Sequence, residues 1–469
     1  MGKYYLAVDI GASSGRHILG HLENGKIELE EIYRFENGMD HKDGKLLWNV
    51  DRLFGEILNG MKKCKELGKI PVSMAIDTWA VDYVLLDEQD RILGDTYGYR
   101  DHRTDGMDAE VAKILPETEL YAKTGIQKQI FNTIYQLMAV KEKEPELLQR
   151  AKTLLMLPDY FGFRLTGNKL SEYTNGSTTQ LVNPTTFQWD TDLIRKLGYP
   201  EDIFLPLKMP GTKVGQLLPE IQKEVGFNLE VVLCGSHDTA SAVMAVPQTE
   251  GDGIYISSGT WSLMGIESLK PIINKDAAAA NFTNEGGYDH RFRFLKNIMG
   301  LWMIQSVRHE YNDAYSFAQL CEMAEDSRDF PSRVDVNDPS FLSPDNMVEA
   351  IKQYCQKTGQ PVPESVGELA SVVYRSLAQS YGETVSGLEK IAGRTYDSIH
   401  IIGGGSNAAY LNQLTADATG KTVYAGPGEA TAIGNLLAQM IHEEELADLK
   451  SARKCVRESF EIKTFVPEK

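Results

Sequence analysis

Short apolar runs separated by small-residue turns open the chain. Tyr4 to Ile10 is apolar except for Asp9, which predicts a strand. The strand ends in the small residues Gly11 to Gly15, and a second strand follows up to Leu22. Asn24-Gly25 is typical of a two-residue hairpin turn, because both residues tolerate a positive φ. The pattern therefore predicts two successive β-hairpins at the start, rather than a strand that leads into a helix.

Strand and helix patterns alternate along the rest of the chain. Glu230 to Leu233 predicts a strand that runs into Gly235-Ser236-His237-Asp238, and a helix is expected from Thr239 to Ala245. Apolar residues at helical spacing predict a long helix from Glu364 to Ala392, which Gly393 ends as a C-cap. This alternation is typical of an α/β fold.

The second half of the chain repeats the organisation of the first. Gly253 to Ile256 predicts a strand, Ser257-Ser258-Gly259-Thr260 a small-residue turn, and Trp261 to Ile266 another strand. Gly15 and Gly259, the glycines of the two turns, lie about half the chain apart. We therefore predict two similar α/β domains, residues 1–246 and 247–469.

Charge and cysteine content narrow the classes of function. The 469 residues carry a net charge of −18, which disfavours nucleic acid and anionic lipid as partners. The five cysteines are widely spaced and form no C-x-x-C motif, which argues against a disulfide framework or a structural zinc site. Neither a targeting segment nor an apolar run of membrane-spanning length is visible. We expect a cytoplasmic protein, and its oligomeric state stays open.

Three small-residue turns are candidates for phosphate binding. Asp9 to Arg16 offers converging backbone N–H groups, serine hydroxyls and a guanidinium, but it lacks the Gly-Lys-Ser/Thr of a Walker A loop. Ser257 to Thr260 alone suits a plain tight turn, yet paired with the first turn it could close on a triphosphate from the other side. Gly403-Gly404-Gly405 follows an apolar strand and allows a ligand to approach the backbone closely. The alternative in each case is a turn without a ligand.

Several polar residues are candidates for catalysis or sugar binding. Asp238 is either a helix N-cap or the carboxylate that accepts the proton of an attacking hydroxyl. His237 is either a loop histidine or a hydrogen-bond partner of a polyol. Asp77-Thr78-Trp79-Ala80-Val81-Asp82 suits a sugar, although Trp79 alone would be an ordinary core residue. Asn297 and Gln305 are expected to bracket the start of a helix near Met299, where an N-cap and a surface residue are the simpler interpretations.

Taken in this order, the motifs resemble the FGGY carbohydrate kinases, and the resemblance spans nearly the whole chain. The resemblance implies a duplicated actin-like, ribonuclease-H-like ATPase fold, with two domains around a cleft. The motifs that carry it are Val8 to Arg16, Ile76 to Trp79 with Val81-Asp82, Tyr99 to Asp101, Leu157 to Tyr160 with Leu165 to Gly167, Gly235 to Ala240, Ser258 to Ser262 and Gly403 to Gly405.

The resemblance also implies residue roles. Asp238 would accept the proton, and Asp9 would support Mg²⁺, through water. The sugar would be held by Ala80, His237, Thr239 and Asn297. ATP would be held by Ala12, Ser13, Ser14, Gly15, Arg16, Thr260, Gln305 and Gly404. The family usually has glycine where this chain has Ala80, so its methyl group could narrow the sugar pocket, or strain the backbone if φ is positive.

The implied activity is ATP-dependent phosphorylation of L-rhamnulose at O1. The Ala-Ser-Ser-Gly-Arg loop and the Ser-His-Asp-Thr-Ala run favour this ketose within the family. L-fuculose and D-xylulose are the alternative substrates. An actin-like filament or chaperone ATPase is an alternative of another class, and it leaves Trp79 and the Asp238 loop without a role. A non-catalytic sugar-binding regulator is the third alternative.

Overall fold

The computed structural model describes residues 2–249, 253–342 and 344–468. Its strands are β1 (Tyr4–Ile10), β2 (Ser14–Glu23), β3 (Lys26–Glu36), β4 (Asp40–Lys42), β5 (Lys45–Leu47), β6 (Pro71–Thr78), β7 (Tyr83–Leu86), β8 (Thr153–Met156), β9 (Ser171–Glu172), β10 (Val182–Asn183), β11 (Gln188–Trp189), β12 (Leu207–Lys208), β13 (Lys213–Gln216), β14 (Glu230–Val232), β15 (Ile254–Ser258), β16 (Trp261–Ser268), β17 (Thr283–Gly286), β18 (Phe292–Met299), β19 (Ser398–Ile402), β20 (Thr422–Ala425) and β21 (Lys463–Phe465).

Its α-helices are α1 (Val50–Glu66), α2 (Met107–Ile114), α3 (Glu117–Thr124), α4 (Thr133–Lys143), α5 (Pro145–Arg150), α6 (Leu157–Thr166), α7 (Tyr173–Gly176), α8 (Thr191–Leu197), α9 (Pro219–Val225), α10 (Asp238–Met244), α11 (Lys275–Ala279), α12 (Trp302–Glu310), α13 (Phe317–Asp326), α14 (Met347–Lys357), α15 (Val366–Ala392), α16 (Ala409–Thr419), α17 (Ala430–His442) and α18 (Leu449–Ser459).

The chain forms two compact units that do not follow chain order. The first unit combines Met1–Ala245 with Glu267–Phe294 and Thr431–Ser459. The second unit combines Val246–Ile266, Leu295–Ala430 and Phe460–Lys469. The domain boundary between residues 246 and 247 stays a prediction.

The first unit is built on a six-stranded mixed sheet in the order β13-β14-β6-β1-β2-β3. Strand β1 pairs antiparallel with β2, which pairs antiparallel with β3, as the two-hairpin prediction requires. On its other side β1 is parallel to β6, and β6 is parallel to β14. At the turn between β2 and β3, φ is +53° at Asn24 and +79° at Gly25, which confirms the predicted turn. The ends of β1, β6 and β14 therefore lie at one edge of the sheet.

Helices cover both faces of this sheet. Side chains alternate along β1, so Leu6 and Val8 pack on one face with Ile57 of α1. On the opposite face, Tyr5 packs with Leu436 of α17. The first unit is thus a three-layer α/β/α arrangement, because each face of the central strands is apolar. A third apolar cluster surrounds the short β7–β8 pair and α4.

The strands of the second unit repeat this pattern. Their order is β18-β16-β15-β19-β20-β21. As in the first unit, a hairpin (β15–β16) stands beside parallel strands, here β19 and β20. Helix α17 follows β20 in the chain as α10 follows β14. The segments 236–242 and 427–432, which are both rich in small residues, therefore occupy equivalent places in the duplication.

The long helix of the second unit confirms one prediction, and the nearby site segment corrects another. Gly393 ends α15 in the left-handed conformation, as its sequence predicts. The helix begins at Val366 rather than at the expected Glu364, after a capping box at Ser365. The helix expected to start near Met299 begins only at Trp302. Asn297 is therefore not an N-cap: it lies in β18, where Phe292 to Leu295 form a buried run that continues a strand.

Candidate active site

The first small-residue turn is held from both sides. The backbone N–H of Gly11 donates to the carbonyl oxygen of Ser14 at 2.8 Å, which closes the turn between β1 and β2. The side-chain amide of Asn37, just after β3, donates to the carbonyl oxygen of Gly11 at 2.8 Å. Ser13 is exposed at the tip of the turn, and Ala12 and Ser14 are partly exposed. The loop is therefore rigid at its base and open at its tip.

Arg16 and Asp9 form an ion pair beneath this turn. The two residues stand opposite each other in the β1–β2 register. The Arg16 Nε and Nη2 atoms donate to Asp9 Oδ2 at 3.0 and 2.8 Å. Arg16 thus places a positive charge beside the turn and fixes the orientation of the Asp9 carboxylate.

Three carboxylates gather at the ends of the parallel strands. Asp9 stands opposite Asp77 in the β1–β6 register, and Asp238 begins the helix after β14. Asp77 is fully buried, and burial raises its pKa well above the ordinary value. The negative charges of Asp9 and Asp238 raise the pKa of Asp77 further. The three carboxylates therefore repel one another at this edge of the sheet.

Two polar residues of α17 hold Asp77 in place. Asn435 Nδ2 donates to Asp77 Oδ2 at 2.6 Å, and Gln439 Nε2 donates to Asn435 Oδ1 at 2.8 Å. Both residues are fully buried in a mostly apolar helix. Sequence reasoning missed them, although a polar pair four residues apart in an apolar helix is a usable signal.

The loop that carries Asp238 is anchored by a buried glutamate. Glu172 Oε2 accepts hydrogen bonds from the backbone N–H and the hydroxyl of Ser236, at 3.2 and 2.6 Å. The same carboxylate accepts from the backbone N–H groups of Thr174 and Asn175, at 2.7 and 2.9 Å. Neither a motif nor periodicity in the sequence marks Glu172. Its bonds fix the loop just before His237 and Asp238.

The Asp238 side chain keeps 34% of its surface exposed at the start of α10. Its Oδ1 accepts from the backbone N–H of Thr239 at 2.6 Å and from the Thr239 hydroxyl at 3.1 Å. Burial raises the pKa of Asp238, and the charge of Asp9 adds to this rise, while the neighbouring His237 lowers it. A carboxylate with a raised proton affinity and an accessible face suits proton acceptance.

The segment after β6 is shaped by a strained turn. Val81 has φ +67°, which is rare for a β-branched residue, whereas the backbone at Ala80 is not left-handed. The backbone N–H of Asp82 donates to the carbonyl oxygen of Ala80 at 2.9 Å, and the Thr133 hydroxyl donates to that of Val81 at 2.7 Å. The methyl group of Ala80 therefore does not strain the backbone.

Trp79 and Asp82 support this turn from the core. Trp79 is only 7% exposed and packs against Trp48, with ring centroids 4.0 Å apart. Both indole N–H groups donate to Asp82 Oδ2, from Trp48 at 2.7 Å and from Trp79 at 2.9 Å. Burial raises the pKa of Asp82 to about 6 despite these donors. The burial of Trp79 favours its interpretation as a core residue.

The second unit contains the other sequence-predicted residues. The backbone N–H groups of Leu301 and Trp302 donate to the carbonyl oxygens of Gly259 and Thr260, at 3.0 and 3.1 Å. These bonds join the second small-residue turn to the start of α12, which carries Gln305 one turn further on.

The triple glycine packs on the same hairpin. A Cβ on Gly403 would lie 2.9 Å from the carbonyl oxygen of Ser258, and one on Gly405 would lie 2.0 Å from its hydroxyl oxygen. A Cβ on Gly404 would meet nothing within 4 Å. Gly403 and Gly405 are thus required for packing, and Gly404 leaves an open approach to the backbone.

Comparison with protein families identifies the chain. The N-terminal domain of the FGGY family of carbohydrate kinases matches residues 4–245, and the C-terminal domain of that family matches residues 254–443. The chain belongs to the FGGY family of carbohydrate kinases.

Curated relatives match over almost the full length. A protein of Halalkalibacterium halodurans named rhamnulokinase is 55% identical over 464 residues, which cover 99% of each chain. The rhamnulokinase of Bacillus subtilis is 47% identical and covers 99% of this chain and 95% of its own.

Solved structures share the fold at low sequence identity. A ligand-bound xylulose kinase from Lactobacillus acidophilus matches with a TM-score of 0.80 at 16% identity, covering 99% of this chain and 94% of that one. Plasmodium falciparum glycerol kinase with ADP matches with a TM-score of 0.77 at 14% identity, covering 100% and 94%. The predicted two-domain FGGY kinase fold is confirmed. Among the described residues, no helix combines the length and hydropathy needed to span a membrane.

Proposed function

We propose that the chain transfers the γ-phosphoryl group of ATP to O1 of L-rhamnulose, giving L-rhamnulose 1-phosphate. The observation that carries this proposal is the similarity to proteins named rhamnulokinase, such as those 55% and 47% identical over 99% of the chain. These relatives do not favour a kinase for another ketose or a filament-forming ATPase. The net charge of −18 and the five free thiols support small-molecule partners and a cytoplasmic location.

In this mechanism Asp238 is the proton acceptor. Its carboxylate orients the sugar hydroxyl and takes its proton as the phosphoryl group is transferred. The raised pKa of Asp238 supports this role, because a base with higher proton affinity drives proton transfer further. The sugar is assigned to Ala80, His237, Thr239 and Asn297.

The nucleotide is assigned to the small-residue turns of the two units. The exposed tip of the first turn offers Ala12, Ser13, Ser14 and Gly15, with Arg16 behind it. Thr260, Gln305 and Gly404, which lie in the second unit, are also assigned to ATP. Backbone N–H groups in such turns stabilise phosphate oxygens without a large reorganisation.

The carboxylates at the strand ends fit a magnesium ion. Asp9 would hold it, through water, since hard oxygen ligands are those that Mg²⁺ prefers. Burial raises the pKa values of Asp77 and Asp238, and the negative charge of Asp9 raises both further; this added repulsion supports a site suited to a cation. When bound, the ion neutralises charge on the transferring phosphate oxygens.

The variant Asp238→Asn tests the proton acceptor. An amide of the same size keeps the fold but cannot take the proton, so kcat should fall by roughly 10²- to 10⁴-fold. Asp190→Asn is the matched control, because Asp190 caps α8 by accepting from the N–H of Leu193, and asparagine caps equally well. Turnover by Asp238→Asn near the wild-type rate would show that another group takes the proton.

A further inference from the structure

A buried arginine points at the imidazole of His237. Arg293, in β18, has no exposed surface, and its Nη2 donates to His237 Nδ1 at 3.0 Å. Its Nε donates to the carbonyl oxygen of Gly286 at 2.8 Å, which fixes the guanidinium plane. The structure therefore keeps a cation deep in the first unit, directed at one ring nitrogen.

This contact determines where the imidazole carries its hydrogen. A guanidinium has only donors, so the nitrogen that it approaches must offer a lone pair. A neutral imidazole that accepts at Nδ1 carries its hydrogen on Nε2. His237 Nε2 lies 3.4 Å from Asp238 Oδ1. The N–H group therefore lies on the side of the ring that faces the Asp238 carboxylate.

Glu285 provides both a counter-charge and a competing acceptor. Its Oε2 lies 3.0 Å from Arg293 Nη2 and 3.3 Å from His237 Nδ1. Burial raises the pKa of Glu285, but the positive charge of Arg293 leads the opposing effects, which leave that pKa below its ordinary value. Glu285 is thus an anion that would accept a hydrogen from Nδ1 if Arg293 did not occupy that nitrogen.

We propose that Arg293 is a positioning residue that holds His237 as the Nε2–H tautomer. His237 then donates a hydrogen bond toward the Asp238 carboxylate and the sugar hydroxyl, and it offers no lone pair on that side. Asp238 remains the acceptor of the proton, because Nδ1 is occupied and Nε2 already carries hydrogen. The consequence for catalysis rests on the proposed kinase function, whereas the tautomer itself does not.

The tautomer can be observed directly in the full-length protein. Histidine is labelled with ¹⁵N, and long-range ¹H–¹⁵N correlation spectra are recorded at pH 8 without substrates. The variant His237→Asn assigns the His237 signals. We expect a protonated Nε2 and an unprotonated Nδ1 in the wild type. In Arg293→Met the hydrogen should lie on Nδ1 in all or part of the molecules, since Nδ1–H can then donate to Glu285. A wild-type spectrum with Nδ1–H, or a pattern unchanged in Arg293→Met, overturns the proposal.

Two further variants separate positioning from a general loss of structure. Arg453→Met also removes a buried arginine, which donates to the carbonyl oxygens of Val243 and Met244 at the end of α10. It should keep the wild-type tautomer. Arg293→Lys retains a donor, so it should keep the Nε2–H tautomer and remain informative if Arg293→Met does not fold. A reversed tautomer in Arg453→Met, or in a folded Arg293→Lys, contradicts the assignment.

Kinetics then connect the tautomer to turnover. Arg293→Met should lower kcat/KM for the sugar by roughly 10- to 100-fold, because a correctly placed donor is lost. The KM for ATP should stay within about twofold of the wild type. Failure of the wild type to phosphorylate any sugar refutes the proposed function and leaves the tautomer result standing. A reversed tautomer with unchanged kinetics refutes the positioning role alone.

Discussion

The crossing of α10 and α17 leaves no room for a side chain at Gly434. A Cβ at this position would lie 1.7 Å from the carbonyl oxygen of Ser241 and 2.4 Å from its carbonyl carbon. Ordinary contact begins at 3.4 Å, so Gly434→Ala forces the two helices apart by well over 1 Å. The obstacle is backbone, which cannot rotate away as a side chain can.

The displacement should affect both stability and turnover. Overpacking of a core typically costs about 1–3 kcal/mol, and the rigid obstacle places Gly434→Ala at about 3 kcal/mol. Helix α10 begins at Asp238, and α17 carries the Asn435 that bonds to Asp77. A misplacement of about 1 Å can lower a catalytic rate by about 100-fold, and we expect a fall of that order in kcat.

Urea denaturation and kcat per folded molecule measure the two effects. Gly55→Ala is the control, because a Cβ at Gly55 in α1 meets nothing within 4 Å. Alanine favours a helix over glycine by about 0.5–1 kcal/mol, so the control should be as stable as the wild type or more so. Wild-type stability and kcat in Gly434→Ala would refute the close approach of the two helices.

Three further perturbations test other parts of the first unit. Burial lowers the pKa of His17 to about 4. Below pH 6.5 the unfolded chain therefore binds more protons than the folded chain. The free energy of unfolding should fall by about 3 kcal/mol in total between pH 6.5 and pH 4. Urea titrations of His17→Gln should show a flatter slope in that window, and an equal slope contradicts the assignment. Glu172→Gln leaves a backbone donor such as Thr174 N–H unpaired and should lower the free energy of unfolding by about 1–3 kcal/mol. An unchanged urea midpoint would contradict the role of Glu172 in anchoring the loop. Ala80→Gly should lower the free energy of unfolding by about 0.4–1 kcal/mol, because the backbone at Ala80 is not left-handed and the change relieves no strain. A higher thermal stability of this variant would show that Ala80 is strained.

Local chemistry in the sequence was sufficient to predict several of the elements and turns. The Asn24-Gly25 turn and the Gly393 C-cap each depend on neighbours a few residues away. The duplication was also visible, because both halves repeat a strand, a small-residue turn and a strand. Such features follow from backbone preferences that act over short distances.

The supports of the candidate site could not be predicted in the same way. Asn435 reaches Asp77 across 358 positions, and Arg293 reaches His237 across 56. Periodicity shows which face of an element is apolar but not which partner it meets. The prediction that Asn297 lies at the start of a helix was wrong for a related reason. Strand β18 extends past the buried run that begins at Phe292, and only pairing within the sheet fixes the length of that strand.

Phosphorylation of L-rhamnulose is the activity on which the proposed residue roles depend. A coupled assay of ADP release with ATP and Mg²⁺ compares L-rhamnulose, L-fuculose, D-xylulose and glycerol with a sample that contains no sugar. We predict strong turnover with L-rhamnulose and only background release with the other three. Preferential turnover of another ketose would contradict the substrate assignment, and ADP release that is the same with and without sugar would contradict the kinase function.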